Sequence, residues 1–277
     1  MRSVVRGIRQ ASGRFEVATS APTRLIVEPG AYDRPGQAGG PAPMELMLAS
    51  LVTCAGTTID AVLAKMRFDV SALNVVADGT RAETVPRVFT NIELEYQVAS
   101  DAPRHRLARA IEVTERTCSA SAMIGAVAAV VPRLIQVKTV DAAVTRALRR
   151  AVLRPHQSVS ELEQEEHPDA TWFGAIDDEE DAVGSVSVGP EPSPDVAADK
   201  AFRIRAMATT DAMRGRGLGA VLLAAALEHA RGEGAEYVWC SARSSAQGFY
   251  RHAGFAETSD PYDVEHIGEH VRMALRL

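Results

Sequence analysis

Apolar residues follow two different periods along the first part of the chain. Over residues 3–28 they alternate with polar ones in short runs, interrupted by turn-forming residues at 11–13 and 20–22, which predicts two or three β-strands. Residues 29–43 are rich in glycine and proline and predict a loop. Between 44 and 66 the pattern is helical with apolar residues on every side, so this helix is expected to lie buried in a core or an interface.

The pattern returns to strands after this long helix. Residues 70–79 and 87–99 alternate, and residues 100–103 have the features of a helix start with proline in the first turn. The next helix is predicted to carry one apolar face, formed by Leu107, Ile111, Thr114, Cys118 and Ala122. A second helical stretch is predicted to end near residue 132.

Strands and helices then alternate to the last residue. A new strand is predicted at 134–140, and we therefore place a domain boundary near Arg133, with one domain over 1–133 and a second over 134–277. The second domain is predicted to contain helices at 141–153, 214–231 and 243–253 and further strands at 172–176, 183–188, 202–209, 237–242 and 271–277. This alternation indicates an α/β fold.

Composition and charge exclude several classes of protein. The 277 residues are 46% hydrophobic and 24% charged, with a formal net charge of −6 and no basic stripe, so no nucleic-acid partner is expected. The longest uncharged apolar run, 46–59, is shorter than the ~20 residues of a membrane span, and no signal-peptide core is visible, so no membrane partner is expected. The three cysteines form no Cys-x-x-Cys pair, which predicts a cytoplasmic protein without a metal site.

A glycine-rich segment, Arg214-Gly215-Arg216-Gly217-Leu218-Gly219-Ala220, lies between a predicted strand and a long predicted helix. Glycines let the backbone turn tightly and approach a ligand closely, and the free amides at a helix start attract anions. Pyrophosphate is the natural occupant of such a segment. The segment could also be only a turn, and a dinucleotide site is less favoured because no acidic residue ends a strand about 20 residues further on.

The residues that follow this segment favour one of these interpretations. Arg-x-x-Gly-x-Gly at 214–219 is followed by Ser241-Ala242-Arg243, Ala246, Phe249-Tyr250 and Gly254-Phe255. This combination strongly resembles the GNAT N-acetyltransferases over residues 134–277. The resemblance implies a mixed sheet flanked by helices, acetyl-CoA as cosubstrate, and a small-molecule or peptide amine as acceptor.

The resemblance also implies roles for individual residues. The main chain of Met207 and Ala208 should pair with the pantetheine amides, and the amides of residues 214–220 should hold the pyrophosphate. Ser241 stands where many members have asparagine, and Tyr250 stands at the position of the general acid that protonates the leaving thiolate, unless it is only a packed aromatic. The general base is left open between a water chain and the side chains of Glu161, Glu163, Glu165, Glu166 and His156.

Two cysteines in the first half have a context of their own. Cys54 ends the segment Gly39-Gly40-Pro41-x-Pro43-Met44-Glu45-Leu46-x-Leu48-x-x-Leu51-x-x-Cys54, and Cys118 lies in Glu115-x-x-Cys118-x-x-Ser121. Together with the strand-rich start, these segments resemble the OsmC/Ohr family of thiol peroxidases over residues 1–132. The resemblance implies an α+β domain, a homodimer formed through it, an organic hydroperoxide as substrate and a dithiol reductant.

In that family's chemistry, Cys54 would attack the peroxide and Cys118 would resolve the product as a disulfide. An arginine held by a glutamate would activate the first thiol. Glu45 matches this glutamate, Arg34 is the favoured arginine, and Arg24 is the alternative. Nine residues put Glu45 and Cys54 on opposite sides of a helix, so Glu45 would act through the loop or a subunit interface, or be only a helix-terminal charge. The domain could instead be a redox sensor or dimerisation module without peroxidase activity.

Overall fold

A computed structural model describes four stretches of the chain, residues 5–10, 13–19, 21–28 and 38–277. Three short strands come first and form an antiparallel sheet: β1 (Arg6–Arg9), β2 (Phe15–Ala18) and β3 (Arg24–Val27). These are the strands that the alternating pattern predicts at the start of the chain. The glycine- and proline-rich segment at 29–37 lies outside the described residues.

Helix α1 (Pro43–Lys65) comes next along the chain, close to the bounds that the sequence pattern predicts. It starts with proline in its first turn, and the Glu45 carboxylate accepts a hydrogen bond of 2.6 Å from the amide of Ala42. Its buried side chains lie four residues apart on one face: Leu51, Ala55, Ile59 and Leu63. The helix is thus buried along one face and not all round. By length and apolar composition α1 could cross a membrane, a test that core helices also pass.

The buried face of α1 packs against an antiparallel hairpin and two helices. These are β4 (Ala72–Arg81), β5 (Phe89–Ala99), α2 (Arg104–Thr117) and α3 (Ser119–Ile124). A side chain at Gly79 would clash with Phe89 and crowd Leu48, so a glycine is needed where α1 meets the hairpin. Helix α1 therefore lies directly on the sheet.

One strand, β6 (Ala129–Thr139), joins the two halves of the molecule. It pairs in parallel with β5 along residues 129–137 and antiparallel with β7 (Thr171–Ile176) along residues 136–139. The two halves therefore share one continuous sheet. The boundary that we place between residues 133 and 134 passes through the middle of β6.

The predicted helix ending near residue 132 is wrong. Helix α3 ends at Ile124, and the β-branched residues Val130 and Val131 pair with Ile92 and Glu93 of β5. Strand pairing thus prevails over the helical pattern because these valines suit a pleated surface. Pro132 lies in the part of β6 that, within the described chain, pairs with β5 alone, where a missing N–H group is tolerated.

The remaining elements complete an α/β fold, as the alternation predicts. The helices are α4 (Ala142–Leu153), α5 (Val159–Gln164), α6 (Leu218–Gly232) and α7 (Gln247–His252). The strands are β8 (Ala182–Pro190), β9 (Ala201–Thr209), β10 (Tyr237–Arg243), β11 (Ala256–Glu257), β12 (Tyr262–Val264) and β13 (Gly268–Arg276). The order across the sheet is β11-β13-β10-β9-β8-β7-β6-β5-β4, with β12 beside β13.

Helices cover both faces of this sheet. On one face, α1 contacts β4, and α4 contacts β8 and β9. Helix α6 lies on the other face. Helix α6 reaches from the C-terminal half onto β4 and β5 of the N-terminal half. The N-terminal end of α6 is thereby placed against the hairpin that also carries α1.

Candidate functional site

Strands β9 and β10 separate beside α6. Their parallel pairing runs from Ala201 and Tyr237 to Ile204 and Cys240, and in the described chain it goes no further. The register between β8 and β9 shifts in the same place, where Ala206 adopts a positive φ of 54°. Met207 lies just beyond this point, where the main chain of β9 is no longer paired with β10 and can pair with an inserted ligand.

The glycine-rich segment forms the turn into α6 and not its first turn. The predicted helix at 214–231 therefore begins later, at Leu218, because Gly215 and Gly217 have positive φ values of 73° and 82°. The amides of Ala220 and Val221 donate to the Gly217 carbonyl, which leaves the first amides of α6 directed outward along its axis. The segment thus has the geometry of an anion site.

The two arginines of this segment have different environments. Arg214 is exposed and pairs with Asp211 at 2.9 Å. Arg216 is half-buried against the N-terminal half, with its guanidinium 3.1 Å from Asp78 and 3.4 Å from Glu95. Burial lowers the pKa of Arg216, but the two carboxylates outweigh burial and raise it.

The main chain of the same residue is also held from the N-terminal half. The side-chain amides of Asn74 and Gln97 each donate a 3.0 Å hydrogen bond to the Arg216 carbonyl. A Cβ atom at Gly217 would come within 2.6 Å of the Asn74 amide nitrogen. The OsmC-resembling half thus forms one wall of the glycine-rich turn.

Tyr250 lies beneath the point where the strands separate. Its side chain is buried, packs against Phe249 and Phe255, and is hydrogen-bonded to the Cys240 thiol. Burial is the main cause that raises the pKa of the Tyr250 hydroxyl, and the nearby Cys240 thiol is a smaller one. Burial also raises the pKa of Cys240, to about 12. Both groups are therefore protonated at neutral pH.

Ser241 faces a second phenol at the end of β10. Its hydroxyl is in close contact with the Tyr262 hydroxyl, and the Arg272 guanidinium lies over the Tyr262 ring. Sequence reasoning missed Tyr262, which stands on a three-residue strand too short to give a pattern.

The acidic segment predicted to border an acceptor site is largely neutralised by its own neighbours. Glu161 caps α5, and this bond to Ser158 lowers the pKa of its carboxyl. Glu163 and Glu166 pair with Arg146. Of the acidic candidates for general base, Glu165 lines a cleft beside β9.

The histidine that lines the cleft is not the one that the sequence analysis offers as a general base. His156 lies with its ring centroid 5.4 Å from that of His266, away from the lining of the cleft beside β9. His167 lines that cleft together with Glu165. Sequence reasoning missed His167, since a lone histidine in an acidic segment gives no distinctive signal.

The structure brings Cys54 and Cys118 together. Their thiols are in hydrogen-bonding contact, with Cys54 half-buried and Cys118 buried. The Ser121 amide lies 3.5 Å from the Cys118 sulfur, and the Ser121 hydroxyl faces the same atom. Burial raises the pKa of Cys118, but the bonds from Ser121, Cys54 and the Ala120 amide outweigh it and lower the pKa.

A phenol and a carboxylate complete this group. Tyr96 is fully buried and donates a hydrogen bond to Glu115. Burial and the bond to Glu115 raise the pKa of Tyr96, and both cysteines lie close enough to contribute. Sequence reasoning missed Tyr96, which the alternation of β5 places on the face opposite Glu95 and Gln97.

The residues expected to activate Cys54 are placed elsewhere or not described. Glu45 caps α1 through Ala42, nine residues from Cys54. Arg34 lies outside the described residues, and Arg24 pairs with Glu16 at 3.4 Å on the small sheet. Among the described residues no group of three or more His, Cys, Asp or Glu side chains is arranged to hold a metal.

Comparison with known proteins separates the same two halves. Residues 36–131 match the family model of OsmC-like proteins, and residues 142–255 match that of the acetyltransferase (GNAT) family. The chain is 30% identical over 141 residues to the uncharacterized N-acetyltransferase YitI of Bacillus subtilis, which covers 50% of this chain and 95% of that protein.

Two further proteins resemble part of the chain. Protein YhfA of Escherichia coli strain K12 is 34% identical over 86 residues, or 30% of this chain and 64% of that protein. The structure of an OsmC-like protein from Mycoplasma pneumoniae aligns with a TM-score of 0.45 and 13% identity over 49% of this chain and 97% of that one. Both resemblances predicted from the motifs are confirmed by the family models, and the chain belongs to the GNAT acetyltransferases, with an OsmC-like domain joined to its N-terminal side.

Proposed function

We propose that the protein transfers the acetyl group of acetyl-CoA to the amine of a small molecule or peptide, and that its OsmC-like half reduces organic hydroperoxides with Cys54 and Cys118. The observation that carries the first activity is the glycine turn at 214–219 beside two separating strands. The pair of contacting thiols supports the second. Three cysteines make no disulfide framework, and a reducing cytoplasm is the location that we propose.

Acetyl-CoA supplies an activated thioester, and the chain supplies binding and proton transfer. The outward amides of residues 217–219 suit the pyrophosphate, and the main chain of Met207 and Ala208, beyond the end of the pairing with β10, suits the pantetheine. Ser241, near the end of β10, would offer its hydroxyl to the same arm. Tyr250 remains protonated at neutral pH and can give its proton to the departing thiolate once the buried bond to Cys240 opens.

The cysteine chemistry balances with two thiols and an external reductant. The Cys54 thiolate attacks the hydroperoxide oxygen, the O–O bond breaks, and the alcohol leaves with a proton while Cys54 becomes a sulfenic acid. The Cys118 thiolate attacks that sulfur, a disulfide forms and water leaves. A dithiol then reduces the disulfide. Half-buried Cys54 is the thiol that a peroxide can reach, and the lowered pKa of buried Cys118 suits the second attack.

A second candidate function for the OsmC-like half is redox sensing or dimerisation in the service of the transferase. Strand β5 favours it, because Tyr96 contacts the cysteine group while Glu95 and Gln97 on the opposite face contact Arg216. Oxidation of the cysteines could then alter the glycine turn without any turnover of peroxide.

Two assays test these activities. Release of the CoA thiol is measured with acetyl-CoA and a panel of amines, drugs and peptides, and amine-dependent release is expected. For the second, one equivalent of an organic hydroperoxide should give an intramolecular Cys54–Cys118 disulfide by peptide mass mapping. Cys118→Ser should leave a trappable sulfenic acid on Cys54, and Cys54→Ser should consume no peroxide. If both cysteines stay reduced, the OsmC-like half is not a peroxidase, and the sensing or dimerisation role is the one that stands.

A further inference from the structure

A small cleft lies beside the point where β9 leaves β10. It is formed between α4, α5 and strands β7 to β9, and Arg205 and Ala206 of β9 border it. Its volume is about 80 Å³. One water needs about 10–15 Å³ of such cavity volume, so the cleft has room for about six waters or for one small organic molecule. A thioester held between the separating strands would face this cleft.

Two of the arginines around the cleft are already neutralised. Arg149 is buried, pairs with Glu166 and lies over the Trp172 ring at 4.2 Å. Arg205 forms three hydrogen bonds to the carboxylate of Glu191, at 2.8, 2.9 and 3.2 Å. These pairs hold both arginine side chains in fixed positions on the wall of the cleft.

Arg154, which lines the cleft, and Arg243, which reaches its edge at the Leu153 carbonyl, differ from these two. Both guanidiniums donate to the same main-chain carbonyl, that of Leu153, at 3.2 and 3.0 Å. Within the described parts of the chain neither guanidinium has a carboxylate within 4.0 Å, although Glu165 acts on Arg154 from further away and is itself bonded to Gln157. Two cations therefore converge without a counter-ion.

The electrostatics of Arg154 agree with this geometry. Burial lowers the pKa of its guanidinium, Glu165 partly offsets burial, and Arg243 and Arg205 lower the pKa further. Each guanidinium has five donors, and a single carbonyl leaves most of them unused. An anion between the two would relieve their repulsion and occupy those donors.

We propose that the acceptor is a small free amino acid, whose carboxylate is bound by Arg154 and Arg243 while its amine faces the thioester. A carboxylate matches the planar fork of a guanidinium. Leu153, Leu162 and Trp172 give the cleft an apolar wall for a short side chain. Glu165 or His167, on the same wall, can take the proton from the ammonium group before transfer. The inference rests on the proposed acetyl transfer and names its substrate class.

Three compounds that differ at one position test the inference: leucine, leucinamide and isoamylamine. Calorimetry first establishes that the protein binds acetyl-CoA, which tests the transferase separately. The kcat/KM for leucine, from CoA thiol release, should exceed that for the other two at least tenfold. Arg154→Gln should raise the KM for leucine tenfold or more and leave the affinity for acetyl-CoA unchanged. Arg154→Lys should recover part of the loss.

A matched control and a direct binding measurement complete the test. Arg231→Gln removes an exposed arginine on α6, on the other face of the sheet, and should leave all three values of kcat/KM unchanged. Because Trp172 lines the cleft, leucine should also change the tryptophan fluorescence of the wild type but not that of Arg154→Gln. Equal kcat/KM for leucine and leucinamide, or an Arg154→Gln variant with normal KM for leucine, would overturn the proposal while the transferase stands.

Discussion

The side-chain amide of Asn74 donates a 3.0 Å hydrogen bond to the main-chain carbonyl of Arg216, across 142 residues of sequence. Asn74 belongs to the OsmC-like half, and Arg216 belongs to the glycine turn of the GNAT half. Gln97 makes a second bond to the same carbonyl. The turn that is suited to acetyl-CoA is therefore held in shape by side chains of the other domain.

Removal of these amides should weaken acetyl-CoA binding without unfolding the protein. A hydrogen bond contributes about 0.5–1.5 kcal/mol, so Asn74→Ala and Gln97→Ala should each raise the Kd for acetyl-CoA about three- to tenfold. Titration calorimetry of the full chain measures this. Asn91→Ala, on β5 but opposite Thr80 and away from the turn, serves as the control. Equal Kd values in all four proteins would show that the contact between the halves does not support the site.

Local sequence features predict much of this fold. The period of two in β4 and β5, the helical pattern of α1 and the glycines at 215 and 217 each reflect the residue's own backbone or its immediate neighbours. The hydrogen bonds that hold the Arg216 carbonyl have no such local signal in the sequence. Asn74 and Gln97 are ordinary polar residues on alternating strands, and their role arises only when β6 joins the two sheets into one.

Element ends were harder to predict where tertiary pairing decides them. Val130 and Val131 follow a helical stretch, yet β5 draws them into a strand. The convergence of two further arginines has no local sequence signal for a similar reason. Arg154 and Arg243 lie 89 positions apart and meet only through the carbonyl of Leu153.

Tyr250→Phe distinguishes a catalytic hydroxyl from a structural one. A general acid contributes about 10²- to 10⁴-fold, so kcat should fall about a hundredfold while the Kd for acetyl-CoA is unchanged. Cys240→Ala, which removes the hydrogen-bond partner and keeps the phenol, should retain kcat within a few-fold. If the phenylalanine variant keeps full kcat and loses only about 1 kcal/mol of unfolding free energy, Tyr250 is a packing residue.

The Cys118 thiol should titrate below the ordinary cysteine pKa of about 8.5. In Cys54→Ser the new hydroxyl can replace one bond, and Cys118 is then the thiol that ionises below pH 10, because the pKa of Cys240 is about 12. Thiolate absorbance near 240 nm, corrected for tyrosinate by the absorbance at 295 nm, follows its ionisation. Ser121→Ala should raise the midpoint, and Ser119→Ala, an exposed serine on the same helix, should not. A midpoint at or above the ordinary value in Cys54→Ser would contradict the hydrogen-bonding pattern.

The same shift has a consequence for stability, whose sign follows from its direction. Since the folded pKa of Cys118 is lowered, the folded protein holds a thiolate at pH values where the unfolded chain holds a thiol. The resulting stabilisation is complete above about pH 8.5 and is lost as the pH falls through the lowered value. Ser121→Ala should accordingly lower the unfolding free energy. The difference from the wild type should be larger at alkaline pH than at acid pH.

The homodimer predicted from the apolar helix has a defined test in the full chain. An apolar groove between α1 and α2 is lined by Ala61, Val62, Met66 and Val113, and a partner there would cover the exposed side of α1. Ala61→Glu should convert a dimer into a monomer by sedimentation at micromolar concentration. Ala147→Glu, at an exposed alanine of α4, should leave the dimer intact. A monomeric wild type would refute the prediction.

Titration of the full chain with acetyl-CoA, for the wild type and Gly217→Glu, decides whether the turn at 214–220 is the cosubstrate site. Gly217 has a positive φ of 82°, and a side chain there meets Asn74 at 2.6 Å and places a carboxylate where the pyrophosphate would lie. Gly232→Glu makes the same change in open space at the far end of α6. We expect one binding site per chain in the wild type and in Gly232→Glu, and no binding in a folded Gly217→Glu. Unchanged affinity in Gly217→Glu, or no binding by the wild type, would contradict the assignment.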